Sequence, residues 1–151
     1  MTEERTLILV KPDGVEGGHV GQIITRLEQH EYGLSALKVV TKATDAQLRQ
    51  HYADKVDEPY FPGLVAYMQS GPIVAMVVSG TNIISEFRRM AGATNPGEAA
   101  IGTIRGDFGR EWNDGAIRNV VHSSDSEAAA SRETAIWFPE LTASPESETS
   151  D

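Results

Sequence analysis

Thr6-Leu-Ile-Leu-Val10 is followed directly by Lys11-Pro-Asp-Gly14. The first segment is a short apolar run rich in strand-forming residues, which predicts a buried central strand. Proline cannot donate to a sheet ladder and glycine permits unusual backbone dihedrals, so the strand should end in a turn. Lys11 is therefore expected at a strand end beside a turn.

Hydrophobic periodicity predicts the elements on either side of this strand. Apolar residues at positions 20, 23, 24 and 27 have the spacing of an amphipathic helix that runs to about His30. Further strands are expected at 34–40, 73–78 and 117–121, and further helices at 45–53, 60–68, 82–90 and after 124. The order predicts an α+β fold, in which a split β-α-β sheet carries helices on one face.

Composition narrows the class of protein. The 151 residues suit one domain, and 40% apolar with 23% charged residues is typical of a globular chain. Cysteine is absent, which excludes disulfides and thiolate metal sites and fits a reducing compartment. The formal net charge of −9 argues against nonspecific binding to nucleic acid or a membrane surface.

The ends of the chain set the expected boundaries. Residues 1–140 form the expected domain, and residues 141–151, mostly Ser, Thr, Glu, Asp and Pro, predict a disordered acidic tail. No cationic and apolar leader precedes the first strand, and no apolar run approaches the ~20 residues that cross a bilayer. A cytoplasmic protein is expected.

Asn119-Val-Val-His-Ser-Ser-Asp-Ser126 is the segment with the clearest functional pattern. Ser124 and Glu127 have the S-x-x-E spacing of a capping box, so His122 is expected where a strand gives way to a helix. Amide N–H groups at a helix start favour an anion beside the imidazole. A single histidine is nevertheless more often a structural or surface residue than a catalytic one.

Common active-site motifs are missing from the sequence. The phosphate-cradling G-x-x-x-x-G-K-[ST] does not occur, and the glycines of 13–18 are better explained by a structural turn. H-E-x-x-H, C-x-x-C and G-x-S-x-G do not occur either, which argues against common zinc, redox and serine-hydrolase sites. The four histidines, at 19, 30, 51 and 122, do not have the spacing of metal ligands.

Three cations next to turns suggest a different site. Lys11 follows the first strand, Arg88 lies near a helix end, and Arg105 lies in a glycine-rich segment, 91–112, that is expected to be irregular. Each alone is more often solvated than functional, but together with His122 they suggest a polyphosphate site. Neutral imidazole is available at pH 7 as a nucleophile for a phosphoryl group.

A family resemblance rests on five motifs in this order: Lys11-Pro-Asp-Gly14, Ser70-Gly-Pro72, Gly92-Ala-Thr-Asn-Pro96, Gly102-Thr-Ile-Arg-Gly-Asp-Phe108 and Asn119-x-x-His122-x-Ser-Asp-Ser126. Across residues 5–139 the chain closely resembles nucleoside diphosphate kinases. The resemblance implies a ferredoxin-like βαββαβ core, with helices packed on a four-stranded antiparallel sheet. It also implies ping-pong transfer of the γ-phosphoryl group from a nucleoside triphosphate, typically ATP, to a nucleoside diphosphate.

The resemblance also implies roles for single residues. His122 matches the phosphorylated nucleophile, Glu133 matches the carboxylate that orients it, and Ser124 supports Glu133. The phosphate-contacting positions of the family are matched by Lys11, Tyr52, Arg88, Thr94 and Arg105. Tyr60 matches the aromatic that stacks on the base, and Asn119 with Lys11 matches the groups near the ribose 3′-hydroxyl. Mg²⁺ would be carried by the nucleotide phosphates, with no protein metal site.

Several positions depart from the usual family pattern. Ser123 replaces a glycine, Ile101 a proline and Gly17 an arginine, Val78-Ser-Gly80 replaces Trp-Glu-Gly, and residues 109–118 are about four residues longer. These differences affect expected subunit contacts and loop rigidity more than chemistry. Family members assemble as hexamers or tetramers, so a homo-oligomer is expected.

Two alternatives belong to other functional classes. A nucleotide-binding regulatory protein on the same fold, with weak or no turnover, is supported only by Ser123 and Ile101. An RNA-binding module of the ferredoxin-like type would need exposed strand aromatics and a basic sheet, which the sequence does not indicate. We therefore expect an enzyme with nucleotide substrates, without a membrane or specific nucleic-acid partner.

Overall fold

The computed structural model describes residues 3–112 and 118–142. Its four described strands, β1 (Glu3–Val10), β2 (Gly33–Val40), β3 (Ile73–Thr81) and β4 (Val121–Ser123), form one sheet in the order β2-β3-β1-β4. Every strand pairing is antiparallel. The predicted α+β fold with a four-stranded antiparallel sheet is confirmed, and β1 is an interior strand as expected.

The described helices are α1 (Pro12–Glu16), α2 (Val20–Gln29), α3 (Asp45–His51), α4 (Phe61–Met68), α5 (Ile83–Ala91), α6 (Ile104–Phe108) and α7 (Glu127–Trp137). Short 3₁₀ turns follow at Ala53–Lys55 and Pro139–Thr142. The expectation of a wholly irregular 91–112 segment was wrong, because α6 lies within it. Thr103 caps this helix by accepting a hydrogen bond from the Gly106 N–H at 3.0 Å, so Arg105 is a helical residue.

The sheet is covered on both faces. Successive side chains of β1 point to opposite sides. Leu7 and Leu9 join a core with residues of α3, α4 and α7, whereas Ile8 and Val10 join a second core with residues of α2, α5 and α6. All four side chains are fully buried. The prediction of helices on one face was therefore wrong, because an unbroken apolar strand needs cover on both sides.

The junction of β4 and α7 also differs from its prediction. His122 lies within β4, paired with Leu9 of β1, instead of after the strand. Ser126 caps α7 by accepting a hydrogen bond from the Ala129 N–H at 3.0 Å, so the expected cap at Ser124 was wrong. Ser124 is fully buried, and its hydroxyl is used in tertiary contacts instead.

Two sequence predictions fall partly outside the described residues. Of the 109–118 loop, residues 113–117 are outside, and of the expected tail, residues 143–151 are outside. The last described turn, Pro139–Thr142, reaches two residues beyond the boundary expected at 140. None of the described helices is long and apolar enough to cross a bilayer.

Candidate active site

One cleft of about 730 Å³ collects the residues that the sequence singled out. Nine of the ten line it: Lys11, Tyr52, Tyr60, Arg88, Thr94, Arg105, Asn119, His122 and Glu133. The tenth, Ser124, is buried and contacts Glu133. Segments far apart in sequence thus meet around His122, whose side chain is 19% exposed.

A chain of hydrogen bonds holds His122 at the floor of the cleft. Its Nε2 lies 2.8 Å from Glu133 Oε1, and the same oxygen accepts a hydrogen bond from the Ser124 hydroxyl at 2.8 Å. The Leu7 N–H donates to Ser124 Oγ at 3.0 Å. The floor is therefore anchored to the central strand, and Glu133 is buried with it.

This arrangement selects one form of the imidazole. A carboxylate accepts hydrogen bonds, so Nε2 of His122 carries the proton and Nδ1 keeps its lone pair. Burial lowers the pKa of His122, and the nearby charges of Lys11 and Arg105 lower it further, while Glu133 opposes the shift. The net shift favours neutral imidazole, the form that can act as a nucleophile.

Lys11 lies buried at the end of β1 with its Nζ 2.7 Å from Asn119 Oδ1. Burial and the charge of Arg105 lower the pKa of Lys11 to about 8, although Asp13 opposes the shift. The ammonium group is thus a cation with little solvation, and it remains mostly protonated at pH 7. A phosphate oxygen arriving nearby would supply the missing counter-charge.

Arg105 spans the gap between α6 and the start of β4. Its guanidinium donates to three backbone carbonyls, those of Asn119 at 3.0 Å, Gly92 at 2.9 Å and Val121 at 2.7 Å. These bonds use three of the five N–H groups of an arginine. Burial and the charge of Arg88 lower the pKa of Arg105 to about 10. Arg105 therefore links three backbone segments beside the cleft and keeps a positive charge there.

The rim of the cleft is more exposed. Arg88 lies in the last turn of α5, Thr94 lies in the following loop, and both are exposed. The Tyr60 side chain at the start of α4 is 55% exposed. Tyr52 differs, because its buried hydroxyl has no hydrogen-bond partner among the described residues. An unpaired buried hydroxyl lining a cleft is suited to bind a ligand acceptor or donor.

Asp13 is a structural contributor that sequence reasoning missed. Its carboxylate accepts hydrogen bonds from the Tyr67 hydroxyl and from the Val120 N–H, the latter at 3.1 Å. Val120 has φ = 72°, which is strained for a β-branched residue, and it lies between Asn119 and β4. Asp13 therefore stabilises the bend that presents Asn119. The sequence showed Asp13 only as part of a turn.

His51 is a second residue that the sequence did not place in the site. Its ring centroid lies 4.3 Å from that of His122, and the Trp137 indole N–H donates to His51 Nδ1 at 3.0 Å. The two histidines are 71 positions apart, so the sequence does not reveal this contact. The expected lack of metal-ligand spacing is true along the chain, but His51, His122 and Glu133 converge with ligand atoms within 4.8 Å of one another.

The hydrogen bond from Trp137 argues against a metal at this cluster. Indole nitrogen only donates, so His51 Nδ1 must accept and His51 Nε2 must carry the proton. Burial, followed by the charge of His122, lowers the pKa of His51 to about 2. A metal would have to displace either the indole bond or the Nε2 proton, and also the His122–Glu133 bond. We therefore treat the three residues as a hydrogen-bonded cluster.

The charged residues of the cleft suit a polyphosphate ligand that carries a bound Mg²⁺ ion. In the described part of the chain, five cations and three carboxylates line the cleft: Lys11, Lys55, Arg88, Arg105 and Arg132, with Asp54, Asp125 and Glu133. Among the described residues, the only grouping of three potential metal ligands is the His51 cluster. Because Mg²⁺ prefers oxygen ligands and keeps several waters, it suits the phosphates of a nucleotide better than this cluster.

The pair of His122 and Glu133, beside the cations that line this cleft and on this α+β sheet, is typical of the class of phosphotransferases. Residues 4–143 match the family described as nucleoside diphosphate kinase. The chain belongs to the nucleoside diphosphate kinase family.

Relatives of known name agree with this assignment. Nucleoside diphosphate kinase B of Homo sapiens is 50% identical over 135 residues, covering 89% of this chain and 86% of that protein. Nucleoside diphosphate kinase of Drosophila melanogaster is 51% identical over 138 residues, covering 91% of this chain and 87% of that protein.

Solved structures show the same fold. A halophilic nucleoside diphosphate kinase from Halobacterium salinarum, in complex with CDP, superposes with a TM-score of 0.84 at 40% identity, covering 91% of this chain and 88% of that one. A transition-state mimic of nucleoside-diphosphate kinase from Borrelia burgdorferi, with bound vanadate and ADP, has a TM-score of 0.83 at 35% identity, covering 90% and 87%.

Proposed function

We propose that this chain transfers the γ-phosphoryl group of a nucleoside triphosphate, typically ATP, to a nucleoside diphosphate through a phosphohistidine at His122. The observation that carries this proposal is the contact of His122 Nε2 with Glu133, at 2.8 Å, beside Lys11 and Arg105. With Nε2 engaged, Nδ1 is the nucleophilic atom. Family membership supports the reaction class.

The transfer takes place in two balanced steps. In the first, the lone pair of His122 Nδ1 forms a bond to the γ-phosphorus, and the bond to the β-phosphate oxygen breaks, releasing the nucleoside diphosphate. In the second, a terminal oxygen of the acceptor diphosphate attacks the phosphorus and the P–N bond breaks. The Nε2 proton stays shared with Glu133, which stabilises the positive charge that the ring gains.

Positioned cations supply much of the rate enhancement. Charge spreads over the phosphoryl oxygens in the transition state, so cations fixed in advance stabilise it without reorganisation. Lys11 and Arg105 are proposed for this role, since both are held by hydrogen bonds before a ligand arrives. Arg88 and Thr94 are proposed to bind the phosphates from the rim, and the buried Tyr52 hydroxyl from inside the cleft.

The nucleoside is proposed to lie between the rim and Asn119. Tyr60 offers an exposed ring on which any base can stack, which would give broad base specificity. Asn119 and Lys11, which are hydrogen-bonded to each other, are proposed to contact the ribose 3′-hydroxyl. The named complexes of the Halobacterium and Borrelia proteins, with CDP and with ADP, support a nucleotide ligand.

Magnesium is proposed as the cofactor, held by the nucleotide phosphates instead of a cage of side chains. When bound, it would neutralise phosphate charge and orient the phosphoryl group. The cations lining the cleft do not bind Mg²⁺ themselves, and they suit the phosphate oxygens that the metal leaves free.

Intact mass after incubation with Mg-ATP, without an acceptor, tests the nucleophile. Wild type should gain one phosphoryl group, lose it on addition of GDP, and gain none when His122 is replaced by alanine. ATP binding without an adduct would favour the regulatory alternative with weak or no turnover. A phosphoryl adduct that still forms in His122→Ala would show that the nucleophile is a residue other than His122.

The departures from the family pattern do not favour the regulatory alternative. Ile101 is 94% exposed and is not among the residues that line the cleft. Ser123 does line the cleft, but it follows His122 in β4 and pairs with Ile8, not with Leu9. Alternation along β4 places its side chain on the face opposite that of His122.

A homo-oligomer, such as the hexamer or tetramer of the family, is proposed from the edge of the sheet. In the described structure β2 pairs only with β3, and it exposes apolar side chains, Leu37 at 52% and Val39 at 68%. Exposed apolar edge strands tend to be covered by another chain. Light scattering should give a multiple of the monomer mass for the wild type and a lower mass for Val39→Lys.

A cytoplasmic location is also proposed, and cell fractionation tests it.

A further inference from the structure

His51 is the buried residue beside the proposed nucleophile that the transfer steps do not use. It is 4% exposed and is the last residue of α3. Its ring meets that of His122 edge to face, with centroids 4.3 Å apart and an interplanar angle of 73°. His51 is therefore a buried polar side chain in direct contact with the ring of the proposed nucleophile, His122.

Helix α7 holds both histidines from one face. Glu133 and Trp137 are four residues apart, so their side chains lie on the same side of the helix. Glu133 accepts from His122, whereas the indole of Trp137 donates to His51 Nδ1 at 3.0 Å. Trp137 is 1% exposed, so this bond is shielded from water. The orientation of the His51 ring is therefore fixed by the fold.

A hydrogen bond at one nitrogen does not by itself fix the plane of the His122 ring. Rotation about the Cβ–Cγ bond has a broad energy profile for histidine, and it changes the direction in which Nδ1 points. The bond from Nε2 to Glu133 selects the tautomer but leaves part of this rotation open. A second ring packed edge to face against His122 restricts the rotation that remains.

We propose that His51 is a positioning residue: its ring, held by Trp137, sets the plane of the His122 imidazole so that Nδ1 faces the phosphoryl group. This inference rests on the proposed function, in which His122 is the nucleophile. Misplacement of a reacting atom by about 1 Å can lower a rate by about 10²-fold, so a second contact on the ring has a kinetic consequence.

The charge state of His51 suits this role. Because its pKa is lowered to about 2, it stays neutral throughout the working pH range and adds no charge beside His122. The ring also excludes water from one side of His122, whose lowered pKa arises mainly from burial. The charged groups that shift the pKa of His122 are Glu133 on α7, Lys11 after β1 and Arg105 on α6. The other titratable or charged groups that line the same cleft are Tyr52, Asp54, Lys55, Tyr60, Tyr67, Arg88, Asp125 and Arg132.

Two variants separate ring positioning from a general structural role. His51→Ala removes the ring that packs against His122, so it should slow single-turnover phosphorylation of His122 by Mg-ATP roughly 10- to 100-fold, with KM within about twofold. Because water then reaches His122, its pKa should rise, and the acid limb of the pH–rate profile should move to higher pH. His51→Phe restores a flat ring and should recover most of the rate.

Folding is controlled separately. His51→Phe leaves the Trp137 N–H without a partner, so it is compared with the double variant His51→Phe/Trp137→Phe, which removes both polar groups. Thermal unfolding of both variants measures the cost of the volume lost at the buried Trp137. The double variant should also phosphorylate at a rate within about tenfold of wild type. His30→Ala, an exposed histidine after α2, is the matched control and should leave both rate and limb unchanged.

Each outcome distinguishes the inference from the function on which it rests. No phosphohistidine in wild type overturns the proposed function. A normal wild-type adduct with unchanged rate and acid limb in His51→Ala overturns only the positioning role. A slow His51→Ala that neither phenylalanine variant restores also overturns it, since the ring alone would then not be sufficient.

Discussion

The floor and the rim of the cleft are built in different ways. The floor consists of His122, Glu133 and Ser124, which are linked by buried hydrogen bonds to β1. The rim offers Arg88 and Tyr60, which are exposed side chains. Floor residues are ordered by the fold before a ligand arrives, whereas rim side chains lose conformational entropy when they bind one.

This difference leads to a kinetic expectation. A group fixed before binding can stabilise the transition state without reorganisation, so changes in the floor should lower kcat. A mobile group that contacts substrate and transition state alike provides uniform binding, so changes in the rim should raise KM. Arg105 lies between the two regions and should affect both kcat/KM and folding stability.

Among the variants that keep His122, Arg105→Ala should have the largest effect on kcat/KM. Loss of a fixed cation should reduce transition-state stabilisation by roughly 3 kcal/mol, or about 10²-fold in rate. Three backbone carbonyls also lose their partner, so the melting temperature should fall. Steady-state kinetics and thermal unfolding measure the two effects.

The control is Arg89→Ala, which removes an exposed arginine paired with Glu86. Unchanged turnover in Arg105→Ala would exclude the proposed role of Arg105.

Glu133→Gln should lower kcat by roughly 10- to 100-fold with little change in KM, because it weakens the hold on the His122 tautomer. The neutral amide also stabilises the charged ring less well than a carboxylate. Stopped-flow phosphorylation by Mg-ATP measures the step directly. A normal rate in this variant would mean that Glu133 is only a buried structural group.

The pH dependence of kcat/KM should show two limbs. The acid limb should lie below pH 6.5, because burial lowers the pKa of His122 from that value and protonation removes the nucleophile. The alkaline limb should lie near pH 8, where Lys11 loses its charge, with a fall of up to about tenfold per pH unit. Lys11→Arg should move this second limb to higher pH, and a limb that stays near 8 would assign it to another group.

Lys11 should affect folding stability in the opposite direction: stability should rise over the pH range in which kcat/KM falls. Its folded pKa of about 8 lies below its usual value of 10.5, so the unfolded chain binds more protons between these pH values. The contribution of Lys11 to the free energy of unfolding should therefore increase as pH rises across that window. Urea unfolding of the ligand-free wild type and Lys11→Met compares the two trends. A Lys11-dependent decrease over that window would contradict the sign.

Tyr60→Ala should have the smallest effect, confined to the rim. Base stacking contributes about 1–3 kcal/mol, and an exposed ring should lie near the lower end, so KM should rise roughly fivefold with kcat retained. The change should be similar for ADP and GDP, because both bases offer a π-face. A change limited to one base would indicate hydrogen-bond recognition at this position.

Much of the site followed from sequence because its residues lie in ordered motifs. Lys11, Arg105, Asn119 and His122 were each predicted, and all four line the cleft. The roles assigned to them stay predictions for the experiments above. Local errors arose where tertiary contacts override local patterns. Ser124 had the spacing of a helix cap, but its hydroxyl bridges β1 and α7 instead.

The contributions of Asp13, His51 and Trp137 could not be read from sequence. Asp13 meets the Val120 amide across 107 positions, and Trp137 meets His51 across 86. No local period or motif encodes such contacts, because they depend on how the helices pack on the sheet. The two-sided cover of the sheet was misjudged for a related reason, since the number of helices alone does not say which face each one covers.

The sequence by itself determined the first three strands, most helices, the family resemblance and the groups available for chemistry, since periodicity, turn residues and motifs are local properties. The fourth strand, expected at 117–121, is Val121–Ser123. Only the tertiary structure decided which nitrogen of His122 is free, which charges are desolvated and which ring lies against His122. Tautomer, pKa and ring orientation depend on distances between side chains remote in sequence, and folding alone sets those distances.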